Sequence, residues 1–196
     1  MCGIVGYIGD KKALPIILNG LKRLEYRGYD SSGVATYNGS TIVSCKSKGK
    51  ISKLEKSIAK RKNLKVKLGI GHTRWATHGV PNDINAHPQF SNSNNLCLVH
   101  NGIIENHSSI KESLIKKGYE FHSETDTEVL VNLIEFIKEK EKVKLGEAVQ
   151  IALQQVVGAY AIAVIDNNKP DEIVVAKLGS PPVSYTHLTL PTILPV

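Results

Sequence analysis

A cysteine directly follows the initiator methionine of this 196-residue chain. Removal of Met1 would leave Cys2 with a thiol and a free α-amine on one residue. An α-amine titrates near ~7.7–8.0, so it can take the thiol proton at neutral pH without help from a histidine. Such a residue carries its own nucleophile and base. The plainer reading is a small side chain opening a first strand. Gly3 and Gly6 flank the cysteine in CGIVG and suit close approach of backbone to a ligand. Other chemistry is harder to assemble. His72 and His78 lack a companion cluster at metal-ligand spacing, so no metal site is expected. Cys45 and Cys97 alternate with apolar neighbours and are expected to be buried and inert.

The elements that must position Cys2 are legible from periodicity. CGIVGYI (2–8) reads as a strand. Between Lys11 and Leu24, Leu14, Ile17, Leu18, Leu21 and Leu24 recur at helical spacing, with Pro15 in the first turns, where a missing N–H costs little, and Gly28 beyond the end. SGVATY and TIVSCKS flank Asn38-Gly39-Ser40, a hairpin signal. VKLGIGHT (66–73) and LCLVH (96–100) read as strands, the second running into Asn101-Gly102. Residues 74–95, rich in Asn, His, Pro and Ser, read as a long loop, and such loops in compact domains are often functional.

Three helices follow. Ser109 and Glu112 form a possible capping box for the first. The second starts near Asp126, which could itself be the N-cap. The third runs from Leu145 to Val156. AYAIAVID and EIVVAKL close the pattern as two strands joined by NNKPD. Hairpins, then helices in a block, then hairpins argue for a layered α+β domain. From Pro181 the chain has four prolines and no acidic or basic residue, so residues 182–196 are left out of the domain, which is taken as 1–181.

Charge narrows the partners. The chain is +7 overall, yet residues 46–67 alone carry ten basic groups and one acid, leaving the rest at −2. Ile51, Leu54 and Ile58 lie at helical spacing among those lysines, so they read as the solvated face of an amphipathic helix. Without interleaved aromatics, nucleic acid is not expected as a partner. No membrane-length apolar run or secretory leader is visible, and three scattered cysteines fit a reducing cytoplasm.

The motifs MCGIVGYIG, RLEYRGYDSSG, GHTRWATHG, NAHP, HNGIIENH and SETDTE, in this order over about residues 1–181, resemble the glutaminase domain of the glutamine–fructose-6-phosphate aminotransferase (isomerizing) family of class II glutamine amidotransferases. The resemblance implies a four-layer αββα sandwich of the N-terminal-nucleophile hydrolase type. It implies hydrolysis of L-glutamine to glutamate and ammonia through a Cys2 γ-glutamyl thioester, with no cofactor. Asn101 and Gly102 would be the oxyanion donors. Arg74 would hold the substrate α-carboxylate through its bidentate fork, and Asp126 the α-ammonium.

By the same resemblance Thr77 and His78 belong to a loop closing over glutamine, and Trp75 gates the ammonia path, although a lone Trp also reads as core. His87 would lie near the pocket or be an ordinary loop histidine, and Arg27 and Asp30 would support the nucleophile. The parent would carry a C-terminal sugar-isomerase part binding fructose 6-phosphate and would be a homodimer, this chain alone being monomeric. The alternatives are a stand-alone amidotransferase subunit feeding another acceptor enzyme and a non-catalytic glutamine-binding module.

Overall fold

The first helix and first strand show how the layers arise. In α1 (Ala13–Leu24), Ala13, Ile17, Leu18 and Leu21 form one buried stripe, and Pro15 sits in the first turn. In β1 (Gly3–Ile8), Val5 and Tyr7 pack toward that stripe, while Ile4 and Ile8 point to the other side. The period of two thus gives β1 one face for a helix and one for a second sheet. The computed structural model describes residues 2–27, 30–59, 67–75 and 80–179, with Arg27 described in its backbone only. The tail beyond Gly179 lies outside the described residues.

Sheet A has the order β1-β4-β2-β3, with β2 Ser31–Tyr37, β3 Ile42–Lys48 and β4 Leu68–Arg74. All its pairings are antiparallel. The Asn38-Gly39 hairpin forms, and Asn38 Oδ1 accepts from the N–H groups of Ser40 and Thr41, each at 2.9 Å. Sheet B has the order β5-β6-β7-β8, also antiparallel, with β5 Gln89–Phe90, β6 Leu96–Ile104, β7 Gly158–Asp166 and β8 Lys169–Leu178. Pro170 is tolerated because β8 is an edge strand.

Helices α1 and α2 (Ile51–Ala59) cover the outer face of sheet A, where Ile51, Leu54 and Ile58 of α2 are buried beneath its lysines. Helices α3 (His107–Ile115), α4 (Asp126–Glu141) and α5 (Leu145–Leu153) cover sheet B. Between the sheets lie Ala35, Ile70, Cys97, Val99, Ala163 and Ile165, all close to fully buried. The result is the expected αββα sandwich with three apolar interlayers. Each large buried aliphatic contributes roughly 1.5–3 kcal/mol to that packing. No helix among the described residues is long and apolar enough to cross a membrane.

Four local expectations change. LCLVH does not stop at Asn101: β6 runs through to Ile104, so Asn101 and Gly102 lie inside a strand, paired with Ala161 and Tyr160. Helix α3 begins at His107, so Ser109 is an interior residue, and its Oγ donates to the Asn106 carbonyl rather than capping. Asp126 is the first residue of α4, not its cap. Thr125 caps instead, its Oγ1 accepting from the Glu128 N–H at 3.2 Å. The loop 74–95 contains β5 and an ordered interior, in which Asn85 Nδ2 donates to Glu124 Oε2 and to the Val80 carbonyl, both at 3.0 Å.

Candidate active site

The alternation that builds the space between the sheets also builds the site at its end. Along β4, Leu68, Ile70, His72 and Arg74 share one face; the first two are inter-sheet core and the last two are polar. Along β6, Cys97 and Val99 are core, and Asn101 follows on the same face. Along β1, Ile4 faces the same space, and Cys2 precedes it by two. Each strand therefore passes from apolar to chemically capable residues at the same end of the sandwich.

The β1–β4 register sets Gly3 opposite Thr73 and so carries Cys2 to the end of β4. There the Trp75 backbone N–H donates to Cys2 Sγ at 3.2 Å. Burial pushes the Cys2 thiol above its ordinary value, while the Trp75 N–H, the positive N-terminus and Arg74 pull it back and Asp30 adds to the rise. The net direction is up, so the resting sulfur is a thiol that needs a base at the moment of attack.

Asn101 faces Cys2 from sheet B. Its Nδ2 donates to the Cys2 carbonyl at 3.4 Å, and its Oδ1 lies 2.8 Å from His72 Nε2. Gly102 has φ 129°, and a Cβ there would collide with the Ala159 carbonyl, so the strand can pass this point only with glycine. Asp126 is buried at the start of α4, its Oδ2 accepting from the Ile104 N–H at 2.9 Å. One carboxylate thus ties the helix to the strand two residues beyond Gly102. A carboxylate at a helix N-terminus also sits in the favourable end of the helix dipole.

Behind these groups lie three buried histidines. His72 and His87 stack with centroids 4.3 Å apart. His87 Nδ1 accepts from the His100 N–H at 3.4 Å, which leaves its proton on Nε2, donated to Thr127 Oγ1 at 3.0 Å. His100 Nδ1 lies 3.2 Å from the same hydroxyl and 3.7 Å from Asp126 Oδ2. Burial pulls His72 down to about 3, with the Asn101 bond opposing. It drives His87 well below the usual range and lowers His100 against the pull of Asp126. All three rings are therefore neutral at pH 7.

Arg74 is buried at the end of β4, and its charge is felt at Cys2, His72 and His87. Trp75 is 55% exposed, which removes the core reading. His87, a loop residue in sequence, is instead enclosed in the histidine cluster. Asp30 donates its backbone N–H to the Arg74 carbonyl at 2.9 Å, and its Oδ1 accepts from Ser31 Oγ at 2.8 Å. Cys97 is buried as expected, but Cys45 is only half-buried. Thr77, His78 and the Arg27 side chain lie outside the described residues. Sequence reasoning missed His72, His100 and Thr127. The signal for His72 was present in the alternation of LGIGHTR, which puts it in register with the inter-sheet core.

A family model described as "Glutamine amidotransferase domain" matches residues 55–194. The chain belongs to the glutamine amidotransferase domain family. The glutamine–fructose-6-phosphate aminotransferase [isomerizing] of Bacteroides thetaiotaomicron is 56% identical over 182 residues, covering 92% of this chain and 30% of that protein. Its counterpart in Thermococcus kodakarensis is 52% identical over 181 residues with the same coverage. Among solved structures, the glutamine phosphoribosylpyrophosphate amidotransferase of B. subtilis superposes with a TM-score of 0.73 at 30% identity, over 90% of this chain and 37% of that one. The amidotransferase domain described here therefore spans about 30% of the length of the curated relatives it matches.

Proposed function

We propose that the chain hydrolyses L-glutamine to glutamate and ammonia, with Cys2 as nucleophile after loss of Met1. The observation that carries this reading is the convergence of the Cys2 sulfur, the Asn101 amide and the Arg74 charge at one end of the inter-sheet space. The α-amine of Cys2 takes the thiol proton, and the sulfur forms a bond to the γ-amide carbon of glutamine. Asn101 Nδ2 and the Gly102 N–H stabilise the oxyanion. The aminium then protonates the departing nitrogen, the C–N bond breaks, and a γ-glutamyl thioester remains. Water attacks the thioester, glutamate leaves, and the thiol is regenerated.

Arg74 and Asp126 bind the two ends of the amino-acid zwitterion in this reading. Trp75, Thr77 and His78 close over the substrate, which keeps water out and ammonia in. His87, Arg27 and Asp30 support the pocket. The relatives are named for amino transfer to fructose 6-phosphate; in a full-length parent of this chain the ammonia would, in this reading, pass to that sugar held by a further domain.

The test is Cys2→Ala. Glutamate release falls to background, while glutamine still shifts the emission of Trp75, the single tryptophan. Retained hydrolysis in that variant would refute the reading.

A further inference from the structure

The side-chain amide of an asparagine turns about a broad, two-fold torsion, so nothing intrinsic holds its N–H₂ toward a substrate. Asn101 sits inside β6 with its Oδ1 turned away from Cys2 and its Nδ2 toward the Cys2 carbonyl. The opposite orientation would set two oxygens against each other at that carbonyl. On the Oδ1 side the neighbour is His72 Nε2, at 2.8 Å. A neutral imidazole has one N–H and one lone pair, and only the Nε2–H tautomer offers Oδ1 a proton.

The His72 ring cannot swing away. It is fully buried in the face of β4, stacked against His87, and His87 is itself pinned by the Thr127 hydroxyl and the His100 N–H. Burial also keeps the ring neutral. Among the groups proposed above to meet glutamine, its hydrogen-bond partner is Asn101, so any part the ring plays in the reaction runs through that side chain.

We infer that His72 is a positioning residue for the oxyanion donor: its Nε2–H holds the Asn101 side-chain amide so that Nδ2 stays directed at the reacting centre. This rests on the reading of Asn101 as an oxyanion donor. It assigns a role to a histidine whose position in the motif, two residues before Arg74, would otherwise pass for core filling. Losing the Nε2–H would leave Oδ1 desolvated without a donor, and the amide could turn its oxygen toward the developing negative charge.

The experiment is a double-mutant cycle on glutamine hydrolysis by the purified full chain. His72→Phe keeps the ring volume and the stack on His87 but removes the donor; His72→Gln keeps a neutral N–H donor. Asn101→Ala alone is expected to lower kcat on the order of 10²–10³-fold. His72→Phe is expected to lower kcat roughly 10- to 100-fold with KM within about threefold, and to lower it no further when added to Asn101→Ala, because the two residues act as one unit. His72→Gln is expected to recover most of the activity. If His72→Phe is without effect, or its loss multiplies that of Asn101→Ala, the ring is structural and the inference is overturned while the reading of the site stands. If Asn101→Ala itself leaves kcat unchanged, both fall. A His72→Phe chain that does not fold shifts the decision to His72→Gln, where a loss of kcat as large as that of Asn101→Ala overturns the inference and near-normal kcat supports it.

Discussion

The Trp75 backbone N–H lies 3.2 Å from the Cys2 sulfur, so the residue that precedes β1 is gripped by the residue that follows β4. That bond works against burial, which dominates and raises the Cys2 thiol above its ordinary value. The rate of alkylation of Cys2 by iodoacetamide should therefore keep rising as pH passes 9, with no plateau near neutrality. Peptide mapping over a pH series reads this directly. Cys97, whose thiol is also pushed up by complete burial, should stay unmodified in the folded chain.

Gly102→Ala places a Cβ against the Ala159 carbonyl at a φ of 129°. A non-glycine residue in such a conformation costs about 1–3 kcal/mol before any collision is counted. Thermal unfolding should shift down accordingly. Glutamine hydrolysis should fall more than stability alone explains, because the N–H at this position moves with the strand. A variant with unchanged Tm and kcat would show that the strand tolerates a side chain here.

Acid should destabilise the fold through its buried histidines. The folded value of His72 is about 3 against an ordinary 6.5, and His87 is shifted in the same direction. A depressed folded value means the unfolded chain binds the proton more readily. The stabilisation is fully present above pH 6.5 and is lost progressively as pH falls toward 3. For His72 the slope approaches about 1.4 kcal/mol per pH unit within that window. Urea midpoints at pH 7.5 and 5 measure the effect, and His72→Phe should flatten the slope by about one proton.

Thr125→Ala removes the cap of α4, whose Oγ1 accepts from the Glu128 N–H. The expected cost is about 0.5–2 kcal/mol. Asp126 is the next residue and ties α4 to Ile104, so loosening the helix start should also raise KM for glutamine. An unchanged KM would separate the cap from the site.

What the sequence yielded was chiefly what alternation and turn chemistry encode. The β1 and β4 runs, the Asn38-Gly39 hairpin and the stripe of α1 are local signals, and they form, although Leu14 and Leu24 at the two ends of that stripe are only half-buried. The family motifs supplied the candidate site residues, and the domain family matches. What stayed hidden depends on partners distant in sequence. Asn101-Gly102 resembles a turn until Tyr160 and Ala161 are paired opposite, and then it is mid-strand. Ser109 resembles a cap because Asn106 gives no sign that its side chain is engaged elsewhere, donating to the Gln155 carbonyl at 2.8 Å and accepting from the Val157 N–H at 2.9 Å. The two-residue β5 carries no periodic signal at all. His72 stays hidden because metal-ligand spacing says nothing of it, while its bonding partner is an amide 29 positions away.

The central claim is that Cys2 is the nucleophile of a glutamine-hydrolysing site. Intact-protein mass spectrometry before and after treatment with 6-diazo-5-oxo-norleucine tests it most directly. The account predicts a chain lacking Met1, one covalent adduct located on Cys2, and protection by excess glutamine. An adduct on Cys45 or Cys97, or a processed chain that gains no adduct, would contradict it.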